Sequence, residues 1–150
     1  MDMNDVVPVC ALIVSTLAFL VSVITIRINL SQKKIDNLVT LHQFLHQDEL
    51  SEARRVIREN ECKMSLADTS VRRVCSSFDF AGTLVRNRAV NRKLFFQYWA
   101  KPLNTLSKSF MSIAHMQTGA RTTVKQYYRD FYWLLGEAET FDHKRMDVDN

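Results

Sequence analysis

The sequence predicts an all-α protein: one N-terminal transmembrane helix continuing into a juxtamembrane helix, then a small cytoplasmic bundle of about four helices. Three observations carry this expectation. Residues 6–26 hold no charged side chain. The chain has three Gly and two Pro in 150 residues, too few for the turns that repeated strands require. Apolar residues elsewhere recur at the three-and-four spacing of a helix face. The implied layout is a short outside tail (1–5), a span (6–26), a juxtamembrane helix (27–47), a helical cytoplasmic domain (48–140) and an acidic disordered tail (141–150).

The span comes first. Its sequence, VVPVCALIVSTLAFLVSVITI, reaches about 30 Å as a helix, the thickness of a bilayer's hydrocarbon core. A cleaved signal peptide would need a basic start and a shorter apolar core. The leader MDMND is acidic and the run passes directly into Arg27, which predicts an uncleaved anchor. Arg27, Lys33 and Lys34 follow the span and no Lys or Arg precedes it. The positive-inside rule then places the N-terminus outside and the body in the cytoplasm.

Two patterns run along this helix. Ala11, Ser15, Ala18 and Ser22 form a stripe of small side chains, which lets a second transmembrane helix approach closely. Leu17, Val21, Ile24, Ile28, Ser31, Ile35, Leu38, His42 and Leu45 form a longer seam. Such a seam either joins copies as a coiled coil or packs on the chain's own domain. A lipid bilayer, a second copy and an unidentified cytoplasmic protein are the expected partners.

The cytoplasmic helices follow from spacing and caps. Asp48 or Ser51 can cap a short helix, LSEARRVIREN, ended by a polar loop from 60 to 67. Asp68 opens the next helix, with Val71, Val74, Cys75, Phe78, Gly82 and Val85 on one face and Arg72, Arg73 and Ser76 on the other. Residues 85–91 form the turn, and Asn91 can cap the third helix. That helix carries Phe95, Tyr98, Trp99, Pro102, Leu103, Leu106, Phe110 and Ile113 in a stripe, and Pro102 within it implies a kink or break. Gly119 closes it, and Thr122 or Thr123 starts the last helix. There Val124, Tyr127, Tyr128, Phe131, Leu134, Leu135 and Ala138 face inward.

The succession of a span, SEARR, FDF, FFQYWAKPL and YYRDFYWLL resembles a bacterial family of small membrane-anchored proteins with a helical domain of unknown function. Its motifs fall here on Ala53, Arg54 and Arg55, on Phe78 and Asp79, on Tyr98 and Trp99, and on Tyr128 and Phe131. The family more often has Glu at the position of Asp79 and Gly in the turn before Asn91. The resemblance implies a fold and a location, and no activity.

Charge is uneven. Between Arg54 and Arg129, fifteen Lys or Arg face four acids, a surplus of eleven, whereas the segment from Asp130 onward has a surplus of four acids. A basic body suits a domain held near anionic headgroups, although such charges also merely solvate helix faces. Arg86, Arg88, Arg92 and Lys93 concentrate at one turn and could contact phosphates. With no nucleic-acid fold around them, lipid or an acidic partner ranks ahead of nucleic acid.

Candidate chemistry is sparse. Asp79 lies among aromatic residues and needs a cation or solvent, which Arg54, Arg55 or Arg58 could supply. It reads either as a binding-site acid or as a pin between two helices. Arg54, Arg55, Tyr98 and Trp99 complete the candidate binding set. His42 and His46 share a face four residues apart, with Glu49 beyond, but a third ligand motif is missing, so solvated histidines are expected rather than a metal site. Arg72 and Arg73 could depress the Cys75 thiol, which otherwise packs as a small apolar group. Three cysteines without a CxxC pair suit a reducing compartment. No nucleophile motif, phosphate loop or paired carboxylates occur, so no cofactor and no catalytic residue is expected. The reading is a membrane-tethered interaction or effector module, suited to phage defence or superinfection exclusion. Its alternatives are an enzyme working through Asp79 and nearby arginines and, more weakly, an oligomeric membrane-permeabilising toxin.

Overall fold

The computed structural model describes residues 3–60, 64–116 and 126–146, and no strand occurs among them. Five helices follow in order: α1 (Met3–Leu45), α2 (Asp48–Asn60), α3 (Thr69–Arg86), α4 (Arg92–Met116) and α5 (Arg129–Met146).

α1 has 43 residues, about 65 Å at the rise of an α-helix. It is long and apolar enough to cross a membrane. Every side chain from 11 to 36 is exposed except the half-buried Val23, including Leu12 at 69 %. Three hydroxyls in this stretch are satisfied along the helix. Thr16 donates to the Leu12 carbonyl, Ser22 to Ala18 and Thr25 to Val21, each at 2.8 Å. That local bonding removes most of the cost of placing a hydroxyl in an apolar medium.

The predicted seam divides near residue 37. Downstream, Leu38, Leu41 and Leu45 are buried in the core. Asn37 Nδ2 donates to the Ala89 carbonyl at 2.9 Å, tying α1 to the turn after α3. Upstream, Leu17, Val21, Ile24, Ile28 and Ile35 stay exposed.

α2 starts at Asp48, so Gln47 precedes it and its carbonyl accepts from the amides of Leu50 and Ser51. Asp48 and Glu49 stand in the first turn, where negative charge is favoured by the helix dipole. Neither Asp48 nor Ser51 is therefore the cap residue. α3 begins after Asp68, whose carboxylate accepts the Ser65 amide at 2.7 Å and holds the preceding loop. The expected faces of α3 are both found: Val71, Val74, Cys75, Phe78, Gly82 and Val85 are buried, and Arg72, Arg73 and Ser76 are exposed.

The turn after α3 is shorter than 85–91, because α3 runs to Arg86. Ala89 N–H donates to the Leu84 carbonyl and Arg88 N–H to Val85, with Arg88 at φ 58°. These bonds make a Schellman ending with an arginine in the left-handed position usually held by Gly. Asn91 caps α4 through its Oδ1, which accepts the Leu94 amide at 3.1 Å.

α4 passes through Pro102 without a break. Pro102 removes the amide that would pair with the Tyr98 carbonyl. Both residues lie on the exposed side of the helix, where water can take the freed acceptor. α5 continues to Met146, past the boundary at 140 where the sequence suggested a disordered tail. Phe141 stacks on Phe96 at 5.8 Å, and Asn104 Nδ2 donates to Asp142 at 3.1 Å, so packing outweighs the polar composition there. Tyr127, expected inside, is 75 % exposed. It stands ahead of Arg129, outside the register that buries Phe131, Leu134, Leu135 and Ala138. Gly119, Thr122, Thr123 and Val124 lie outside the described residues.

α3 against α5 is the largest helix–helix contact, followed by α4 against α5 and α2 against α3. Phe78 joins the layers, with ring centroids 5.6 Å from Trp99 of α4 and 6.1 Å from Phe131 of α5.

Candidate functional site

Asp79 is satisfied by backbone. Its Oδ1 accepts the amides of Asp130 and Phe131, both at 2.9 Å. These are orphan donors in the first turn of α5, so a side chain from α3 caps a helix 51 residues away. Three more residues of α3 share that face. Gly82 allows the approach, since a Cβ there would sit 2.4 Å from the Asp130 carbonyl oxygen. Thr83 Oγ1 donates to Asp130 Oδ2 at 2.8 Å, and Arg86 donates to Asp130 Oδ1 at 2.8 Å. The Arg86 and Thr83 bonds hold the Asp130 carboxyl below its ordinary range. Asp79 is thus the pin between two helices, and its partners are amides rather than Arg54, Arg55 or Arg58. Thr83 and Asp130 were not singled out from sequence, and Gly82 was read only as part of the apolar face. The signal was present as a polar or small stripe at 79, 82, 83 and 86, one step around from the apolar face.

The candidate arginines diverge. Arg55 is exposed and donates to Glu52 at 2.6 Å and to Glu59 at 3.1 Å along its own helix, which raises its pKa. Arg54 turns inward. Its Nη1 donates to the Leu45 carbonyl at 2.6 Å, placing a cation at the C-terminal end of α1. Its guanidinium also lies 5.4 Å from the Trp99 ring and 6.0 Å from that of Phe78. Burial, and then Arg58, lower its pKa.

Trp99 brings a second set together. Its ring is 5.1 Å from His46 and 5.7 Å from His42, and the two histidine rings lie 4.3 Å apart, tilted by 54°. Partial burial against these groups lowers the pKa of His46, helped by His42 and Arg54. An open groove of about 380 Å³ lies here, between the end of α1, α2 and α4. Arg54, Tyr98 and Trp99 all line it, so three of the five candidate binding residues meet at one place, without Asp79 or Arg55. No group of three or more His, Cys, Asp or Glu suited to a metal occurs among the described residues.

The basic turn is split. Arg86 is engaged by Asp130. Arg92 pairs with Glu137 and lies 5.6 Å from the Trp133 ring. Arg88 and Lys93 are exposed. Acids of α5 therefore occupy half of the expected phosphate-binding cluster. Cys75 is fully buried, and burial, with Asp79 nearby, pushes its thiol up to about 12. The exposed Arg72 and Arg73 do not activate it. Ala11, Ser15, Ala18 and Ser22 all remain exposed on α1.

A family model described as a domain of unknown function (DUF4760) matches residues 12–137. The match includes most of the apolar run as well as the bundle, and the chain belongs to this family. No curated protein and no solved structure matches the chain.

Proposed function

We propose that this member of the DUF4760 family is a membrane-tethered module that acts through protein contacts, with α1 as both anchor and spacer. One observation carries the reading: an uncharged apolar run, exposed from Ala11 to Ile26 except at the half-buried Val23, passes without interruption into the helix that Asn37, Leu38, Leu41 and Leu45 fix to the bundle. Apolar exposure on this scale is not sustained by a free soluble surface, and a single segment crossing lipid satisfies its own backbone only as a helix. The flanking charges favour an outside N-terminus and a cytoplasmic bundle at a bacterial inner membrane. The exposed upstream seam and the small-residue stripe give the anchor two ways to meet a second copy. Phage defence or superinfection exclusion would suit such a device.

The test is topology and assembly in the native membrane. The chain should resist carbonate extraction. In spheroplasts of a cysteine-free variant, an impermeant maleimide should label Asn4→Cys and not Asp48→Cys. Leu in place of Ala11, Ser15, Ala18 and Ser22 together should abolish crosslinked oligomers at unchanged expression. Release by carbonate sinks the anchor, the reversed labelling pattern sinks the orientation, and intact oligomers sink the small-residue contact.

A further inference from the structure

The groove around Trp99 is cationic. Arg54, Arg58 and Lys101 line it and no carboxylate does. Arg54 and Arg58 are four apart on α2, where like charges oppose each other, and neither has a carboxylate partner among the described residues. Beneath them Trp99 is 3 % exposed, and its Nε1–H is buried with no acceptor. Tyr98, 65 % exposed, offers a flat ring at the same wall, beside Pro102 and Leu106. At about 380 Å³ the space falls within the range of small-ligand sites.

We propose that this groove binds a phosphate-bearing small molecule of the nucleotide class. Arg54, Arg58 and Lys101 would hold the anion, and the Tyr98 ring would stack on its base. The anion offsets the clustered cations. The site itself does not depend on α1 crossing a bilayer. The preference for a soluble ligand over a lipid headgroup does, because His46 lies twenty residues beyond Ile26, about 30 Å along the helix.

The experiment uses the full-length Trp133→Phe protein in phosphatidylcholine nanodiscs, which leaves Trp99 as its one tryptophan. Calorimetry with ADP, adenosine and pyrophosphate gives affinity, and Trp99 emission reports location. ADP should bind saturably with a change in emission. Adenosine should not bind, and pyrophosphate should bind more weakly than ADP. The double variant Arg58→Ala/Lys101→Ala, at exposed positions, should weaken ADP by at least about tenfold with an unchanged melting temperature. Adenosine or pyrophosphate binding as tightly as ADP overturns the proposal, as does an unaltered double variant or ADP heat without a Trp99 response. Nanodiscs containing phosphatidylserine should leave the ADP affinity unchanged. If they reproduce the Trp99 response without ADP, the ligand is a headgroup and the soluble assignment falls.

Discussion

Two carboxylates of this domain do opposite jobs. Asp79 is an acceptor for amides that would otherwise be orphaned at the start of α5, whereas Asp130 is the charged partner of Arg86 and Thr83. The difference is testable by shape-preserving substitution. Asn keeps an oxygen where Oδ1 stands and serves at helix starts about as well as Asp, so Asp79→Asn should leave denaturation in detergent nearly unchanged. Asp79→Ala leaves two buried donors unmatched and should cost about 1–3 kcal/mol. Equal losses for both variants would mean that the carboxylate's charge matters, which would revive a binding or catalytic role. Asp130 should show itself through pH. Its carboxyl is held below its ordinary range when folded, so as pH falls toward about 4 and below, the unfolded chain takes up a proton that the folded chain resists. The stability it lends is complete near neutrality and lost in acid. The melting-temperature gap between the natural chain and Asp130→Asn should therefore shrink between about pH 7 and about pH 3, and a constant gap would remove the charge from the account.

Helices were legible in the sequence where one residue type settles the matter and illegible where distant packing does. The buried face of α3 and the Asn91 cap could be read from spacing and from a side chain within reach of its own helix. The Asp79 cap could not, because its amides belong to α5. Nor could the length of α5, since Phe141 and Asp142 look like tail until Phe96 and Asn104 of α4 receive them. The unbroken α4 follows from the same blindness: Pro102 signals a break locally, and only its exposed position makes the lost bond tolerable. Tyr98 and Trp99 were singled out as an aromatic pair, but the groove they share with Arg58 and Lys101 needed three helices to exist. Two glycine tests belong to this scale. Gly82→Ala should push α3 from α5 and cost about 1–3 kcal/mol by overpacking, read by urea denaturation; a neutral result would mean that the helices are not pressed together at Asp130. Arg88→Gly should stabilise by about 0.5 kcal/mol or more, because a side chain at positive φ is strained and glycine is not. A loss instead would show that the Arg88 side chain, not its backbone, matters at that turn.

The whole molecule poses one mechanical question, which is what holds residues 27–36 of α1. Below them the bundle grips the helix through Asn37, Leu38, Leu41 and Leu45. Above them, on the tether reading, lipid shields the span. Every side chain in the stretch between is exposed, Ile28 and Ile35 on the seam among them. An isolated segment of ten residues is marginal as a helix in water, since most helical stability comes from packing an apolar face. Hydrogen exchange in nanodiscs separates the two answers. If copies pair along Leu17, Val21, Ile24, Ile28 and Ile35, amides of residues 27–36 should be protected as strongly as those of 37–45 at high protein-to-lipid ratio. That protection should fall on dilution into lipid and disappear in Ile28→Lys/Ile35→Lys, while the bundle's own amides stay unchanged. Fast exchange in 27–36 at every ratio would leave a monomeric tether with a pliant neck. The bundle would then swing on its anchor, and its contacts would have to be sought on the groove side of the domain instead of along α1.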